Sequence, residues 1–393
     1  MKQESVAILD IRSGEITFAL GTKGVNGTFA FRDSHSESYE GYLVDNGILD
    51  AESFRRAILV SLNAVRQNYG GVIDEIYVGV PAPFVSVQTK GHTISFPKKR
   101  KISQQDVDNL FESGLNDMLV EGRCIRRSAM YFSLGDNRKY FTGESLYGTP
   151  TSLLKGALCY YFVSEVFYNE LNKLLKGEKF SRVEFVPSTL AQATYLMSER
   201  KREGYAFLLD IGFLTTSISV IYGNGIVHEE SFDCGVGTIR VALMEELGVD
   251  YPMAEEILRD ANISGGVGAK DRVWISESSD RQFSVMRIND IIKYNLDSMC
   301  ERIDKFFARY YKDKASTGLT ANPISITGEG LGEIKGVAEH VARRLNRLTE
   351  IVHPDLPYFD KPAFSSRISL LNTATKESRS KGLIERLFGG KRK

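Results

Sequence analysis

Three turns, far apart in the sequence, carry the residue types that phosphate chemistry needs. They are Asp10-Ile11-Arg12-Ser13-Gly14, Asp210-Ile211-Gly212-Phe213-Leu214-Thr215-Thr216 and Thr327-Gly328-Glu329-Gly330-Leu331-Gly332. Each follows an apolar run. Backbone N–H groups hold phosphate oxygens only where the chain approaches closely, which favours residues without a Cβ: Gly14, Gly212, Gly328, Gly330 and Gly332. Hydroxyls at Ser13, Thr215 and Thr216 add donors. Gly235, in a turn beside Cys234, joins the set. Asp10 and Asp210, facing each other across a cleft, can hold Mg²⁺ through its waters, because Mg²⁺ gives up hydration reluctantly. One such turn is an ordinary loop. Three in this order on a repeated scaffold point to a nucleotide site.

The elements that must position these turns read as a duplication. Strands over 6–10, 16–20 and 28–31 form a meander, followed by a helix over 52–69 and a strand over 75–80. The same grammar returns with strands over 206–210, 218–222 and 226–230, so AILDIRSGEI matches FLLDIGFLTTSI and Asp10 matches Asp210. This predicts an α/β protein with two similar lobes facing each other. Residues 84–162 break the pattern, with strand-like runs over 85–88, 129–133 and 158–162 and a helix opened by Ser103 with Asp106 three residues on. That capping signal predicts a small inserted α/β subdomain. Helices follow over 238–247, 252–259, 288–311 and 334–348, with a strand over 323–327. The polar stretch 372–381 reads as a linker, and 382–393 as a separate tail.

The tail has its own chemistry. Leu383, Ile384, Leu387 and Phe388 share one helical face, and Arg386, Lys391, Arg392 and Lys393 supply positive charge. From Lys376 onward there are seven basic and two acidic residues. An apolar face with Lys and Arg is the composition of an interfacial anchor for an anionic membrane surface. A single tail of this length binds weakly, and several on one polymer bind tightly through effective concentration.

Composition excludes several classes. The 393 residues suit more than one domain. Fifty basic and fifty acidic residues give zero net charge, so nucleic acid is not an expected partner. Cys124, Cys159, Cys234 and Cys300 are widely spaced and the five histidines are scattered, which predicts neither a zinc site nor a disulfide framework. The segment MKQESVAILD lacks a signal peptide's apolar run, and no stretch reaches the roughly 18 apolar residues of a membrane span. The expected place is the cytoplasm or a membrane surface. The run Pro97-Lys98-Lys99-Arg100-Lys101 reads as a solvated loop, and Trp274 as part of a core strand.

The order strand-Asp-turn, strand-Asp-turn, then apolar-Thr-Gly-x-Gly resembles the two phosphate motifs and the adenosine motif of the actin, heat-shock chaperone and sugar kinase superfamily. The inserted subdomain, Ala254-Glu255-Glu256-Ile257 and Pro362…Ser369-Leu370-Leu371 narrow the resemblance to the bacterial cell-division family FtsA. It implies an actin-like duplicated fold. Lobe 1 would be 1–83 with 163–202, the insert 84–162, lobe 2 203–240 with 316–371, and its second subdomain 241–315. It implies ATP with Mg²⁺ as ligands, Glu255 at the ribose, and Gly328 and Gly330 at the adenosine. It also implies binding to the C-terminal peptide of FtsZ, self-assembly into a filament or oligomer, contact with other divisome proteins, and placement on the cytoplasmic face of the membrane at the septum.

The site departs from the family pattern. Arg12 and Glu15 replace a glycine and a lysine. Phe213 and Leu214 replace two glycines, Ser217 replaces an aspartate, Glu329 a glycine and Leu258 a lysine. These changes predict weak or absent nucleotide binding and ATPase activity, and no residue reads as catalytic. The competing readings are an active ATPase or small-molecule kinase of the superfamily, and a PilM-like scaffold of another envelope machine. A chaperone fails on length, since about 60 residues after Gly332 are too few for a further domain.

Overall fold

The computed structural model describes the chain apart from residues 1–4, 25–27, 72, 137, 265–271, 312–321, 332–333 and 389–393, and apart from the side chains of Lys23 and 379–388. Gly332, Lys391, Arg392 and Lys393 therefore lie outside the described residues, and Leu383, Ile384, Arg386, Leu387 and Phe388 are described in backbone only.

The first sheet orders its strands Arg182–Pro187, Glu75–Val80, Ser5–Ile11, Glu15–Lys23 and Phe29–Ser38. The second orders Gly225–Asp233, Thr215–Tyr222, Ala206–Ile211, Ile324–Gly328 and Thr349–Ile351. Each central strand pairs antiparallel with the strand that follows it and parallel with a strand from later in the chain. The registers match: Asp10 lies opposite Thr17 and Gly79, and Asp210 opposite Ser217 and Thr327. Both central strands are apolar and buried on both faces, as a strand covered on two sides must be. They deliver each aspartate to the same end of its sheet.

Local chemistry sets the element ends. Asp50 accepts from the N–H groups of Glu52 and Ser53 to open the helix Ala51–Tyr69, and left-handed Gly70 closes it. In the insert, Asp106 accepts from the N–H and hydroxyl of Ser103 at the start of the helix Gln104–Asn116. The insert's strands, Ser86–Lys101, Pro150–Val163 and Arg123–Ser133, are much longer than the sequence suggested. The basic run 97–101 is thus the end of an edge strand rather than a loop, and Arg100 pairs with Asp106. One face of this sheet reaches the second lobe, where the Tyr161 hydroxyl accepts from the Ile226 N–H.

The expected linker is not one. A single helix, Ser365–Phe388, runs through 372–381 and on into the tail. Leu370, Leu371 and Ala374 pack against Val6, Ile8, Ala19, Tyr77, Val186 and Ala191. The segment looked like a linker because Asn372, Thr373 and Thr375 are small and polar. Small residues let a helix lie close to a sheet, and the hydroxyls of Thr373 and Thr375 are satisfied by the carbonyls of Ser369 and Leu371. Among the described residues, no helix is long and apolar enough to cross a membrane.

Candidate functional site

The three turns meet where the lobes touch. Gly212 N–H donates to Thr215 O at 2.9 Å, Val236 N–H to Gly212 O and Gly237 N–H to Phe213 O, which folds the second turn against the start of the helix Val236–Leu247. Gly235 permits that approach, since a Cβ there would lie 2.5 Å or less from the carbonyl oxygens of Phe213 and Gly212. Gly328 has φ near +115°, and a Cβ on it would lie 2.1 Å from Ile211 O. Leu214 N–H donates to Ser13 Oγ at 2.9 Å, a direct bond from one lobe to the other.

At the centre is an ionic cluster. Arg12 grips Asp210 with both ends of its fork, Nη1 to Oδ2 at 2.6 Å and Nη2 to Oδ1 at 2.8 Å. Its Nε donates to Glu329 Oε1 at 3.0 Å. Gln192 Nε2 donates to Asp210 Oδ2 at 3.0 Å, and Tyr39 Oη donates to Arg12 O at 2.7 Å. Burial would raise the Asp210 carboxyl, but the charge and hydrogen bonds of Arg12, helped by Gln192, hold it below the usual carboxylate range. Burial raises Glu329, and Arg12 only partly offsets that. Burial works against the Arg12 charge, yet Asp210 and Glu329 more than reverse it and keep the guanidinium protonated. Asp10 is also raised by burial; its Oδ1 accepts from Ser366 Oγ at 2.6 Å.

The space around this cluster is divided. On the phosphate side, a cavity of about 20 Å³ is lined by Arg12, Ser13, Tyr42, Asp210, Gly212 and Thr215, among others. That holds about one water molecule. On the other side of Glu329 lies an open pocket of about 620 Å³, lined by Arg240, Glu255, Glu256, Arg259, Ser278 and Gly330, among others.

No protein-family model and no curated protein sequence matches the chain. Solved structures do. The PilM–PilN type IV pilus biogenesis complex aligns with TM-score 0.61 and 13% identity, over 94% of this chain and 98% of that one. MreB 5 of Spiroplasma citri bound to AMPPNP aligns with TM-score 0.58 and 11% identity, over 98% and 99%. The ADP-bound form of the same protein gives 0.56 and 12%, over 97% and 98%. The chain has the actin-like fold. At these identities the likeness is one of fold, and the FtsA resemblance remains one of sequence motifs.

Within the actin-like fold the predicted site residues sort into three groups. Asp10, Arg12, Ser13, Gly14, Asp210, Gly212 and Thr215 meet at the lobe contact. Glu255 and Gly330 line the larger pocket instead, with Glu255 largely exposed and paired to Arg240 at 3.1 Å. Thr216 turns away, its hydroxyl donating to Cys234 O. Phe213 does not stand in open space: its ring covers Gly14, where a Cβ would come within 2.6 Å of it. Arg12 meets the carboxylates of Asp210 and Glu329. Gln192, Ser366, Tyr39 and Arg240 carry no motif and went unnoticed in the sequence.

These residues do not fit a metal-bound triphosphate. Both Asp210 oxygens are engaged by Arg12, Asp10 is engaged by Ser366, and the phosphate side has room for about one water.

A titratable residue borders the cluster. Glu229 bonds to Ser219 Oγ at 2.8 Å, and burial lifts its carboxyl to about 6, with Thr189 and Ser219 opposing the shift and Asp210 adding to it. The folded state therefore binds this proton more tightly than the unfolded state. The associated stabilisation is present below the ordinary Glu range and is lost as pH rises through about 6. Glu229→Gln should remove about 2 kcal/mol of pH dependence between pH 4 and pH 7. Urea unfolding at a series of pH values measures it; parallel profiles for both proteins would contradict it.

Proposed function

We propose that the chain is a membrane-surface scaffold of the cell-division machinery. It lies on the inner face of the cytoplasmic membrane at the septum through residues 383–388, recruits FtsZ through that protein's C-terminal peptide, and self-assembles. Turnover of ATP is not part of this role. The carrying observation is the helix Ser365–Phe388, which is held in the core of the first lobe at Leu370, Leu371 and Ala374 and continues into the basic, apolar tail.

Energetics support an anchor of this form. Four apolar side chains contribute about 6–10 kcal/mol of gross burial. Each basic residue near an anionic leaflet adds about 1 kcal/mol. A free peptide of a dozen residues would offset most of this with ordering entropy and the cost of a helical nucleus. Here the nucleus is supplied by the packed first turns, so that cost falls. Assembly then multiplies a modest single-tail affinity.

Co-sedimentation with anionic vesicles in the presence of FtsZ tests the proposal. The full chain should carry FtsZ to the vesicles, and a chain ending at Lys381 should not. Phe388→Glu should reduce vesicle binding at least tenfold without changing the melting temperature. Equal binding by the full and shortened chains would remove the anchor. Lipid binding that leaves FtsZ behind would instead favour a PilM-like scaffold of another envelope machine.

A further inference from the structure

Arg12 sits in the first turn of lobe 1, yet the groups it satisfies belong to lobe 2. Asp210 ends that lobe's central strand, and Glu329 follows the adjacent strand Ile324–Gly328. We infer that Arg12 is a built-in counterion that closes the cleft in place of a nucleotide and its metal, so that the two lobes are joined without any ligand and the phosphate chain of a nucleotide is excluded. This inference stands apart from the membrane role and does not depend on it.

Two carboxylates converge on one point between the lobes, and something positive must neutralise them there. A hydrated metal holding a polyphosphate is one solution. A guanidinium is another, since its planar fork matches a carboxylate in two parallel bonds and its charge does not titrate away. The chain carries the second solution, and its other departures cooperate with it. Glu329 gives the Nε a partner that glycine could not. The Phe213 ring packs on Gly14, and Leu214 Cδ1 comes within 2.7 Å of where a Gly41 Cβ would stand. Val44 N–H donates across the lobes to Asp233 Oδ1 at 2.8 Å.

The alternative is that Arg12 swings aside to meet an incoming phosphate. That would strip the guanidinium from the buried Asp210 and the half-buried Glu329 and bring a polyanion beside them. It would also require Phe213 to leave Gly14. The two phosphate turns and the third turn therefore form one interlocked contact, and any assembly surface that spans both lobes is presented in a fixed arrangement whether or not nucleotide is present.

Two measurements on the full chain test this. In the first, the wild-type protein is melted with millimolar Mg-ATP and Mg-ADP. The expected result is no saturable shift in Tm; a saturable rise with either would overturn the inference. In the second, hydrogen exchange is followed at the amides of Gly212, Leu214 and Glu329 in wild type and in Arg12→Lys, both without nucleotide. Lysine keeps the charge but loses the fork, so exchange at these amides should speed up at least tenfold, while amides of the insert's helix Gln104–Asn116 stay unchanged. Equal exchange in the two proteins would show that Arg12 does not hold the lobes together. The first measurement needs no variant, so a poorly folding Arg12→Lys cannot shelter the inference.

Discussion

Arg12→Ala is expected to destabilise the protein by about 3–5 kcal/mol, because it leaves the buried Asp210 carboxylate, and the half-buried Glu329 beside it, without their cation. Asp210 recovers little of the loss by hydration, since its side chain is only 11% exposed, whereas Glu329, at 24% on the rim of the larger pocket, recovers part of its own. An exposed pair of the same geometry would be worth about 0–1 kcal/mol, so the size of the loss separates a buried clamp from a surface contact. The sign of its pH dependence follows from Asp210. In the wild type its carboxyl is held below the ordinary value of 3.8, so the pair's stabilisation is complete above that value and is lost as pH falls below it. In the variant the influence of Arg12 is gone and burial, the largest cause, is opposed only by the Gln192 hydrogen bond, so the balance moves toward the protonated acid. The difference between the two proteins should therefore narrow as pH falls through the carboxylate range. Adding Asp210→Asn to the variant should cost much less than Asp210→Asn does in the wild type, since the two residues share one interaction. Urea unfolding of the four proteins measures the cycle, and additive losses would contradict the pairing.

What the sequence disclosed, and what it withheld, follows from where information about each feature resides. The matching of Asp10 with Asp210 was legible because each ends a short apolar strand, and an apolar run ending in a carboxylate is a local pattern. The Ser103 and Asp106 cap was legible for the same reason: both partners lie within one turn. Arg12, Phe213 and Glu329 were legible as departures, but not as partners. Arg12 and Glu329 are 317 residues apart, and no local rule joins them. Ser366, which donates to Asp10 from 356 residues away, carries no motif at all. The insert's strands read short because they alternate between exposed and covered residues, and because glycines such as Gly91 and Gly156 interrupt the runs. The supposed linker was misjudged for a physical reason. Polarity at Asn372 and Thr375 suggested solvent, whereas close helix-to-sheet contact selects for small side chains.

That last point fixes a second expectation of comparable size. Leu371→Ala should cost about 2–5 kcal/mol, the range for removing a large aliphatic side chain from a core that cannot fully collapse. Leu371 is fully buried, and its Cδ1 lies 2.6 Å from where a Gly21 Cβ would stand, so side chain and strand are closely fitted. The converse change, Gly21→Ala, should also destabilise, by about 1–3 kcal/mol through overpacking against the same leucine. The consequence extends beyond stability. Leu371 lies in the segment that holds the helix Ser365–Phe388 in the first lobe, and the tail inherits its helical nucleus from that segment. Loosening it should lower vesicle binding by the full chain even at temperatures where most of the protein is folded. Phe388→Glu should lower vesicle binding with stability untouched. The two variants thus separate a helix that is set by the core from a tail that acts alone. If Leu371→Ala lost stability but bound vesicles as well as the wild type, the tail would be folding on the membrane by itself, and its continuity with the core helix would have no part in anchoring.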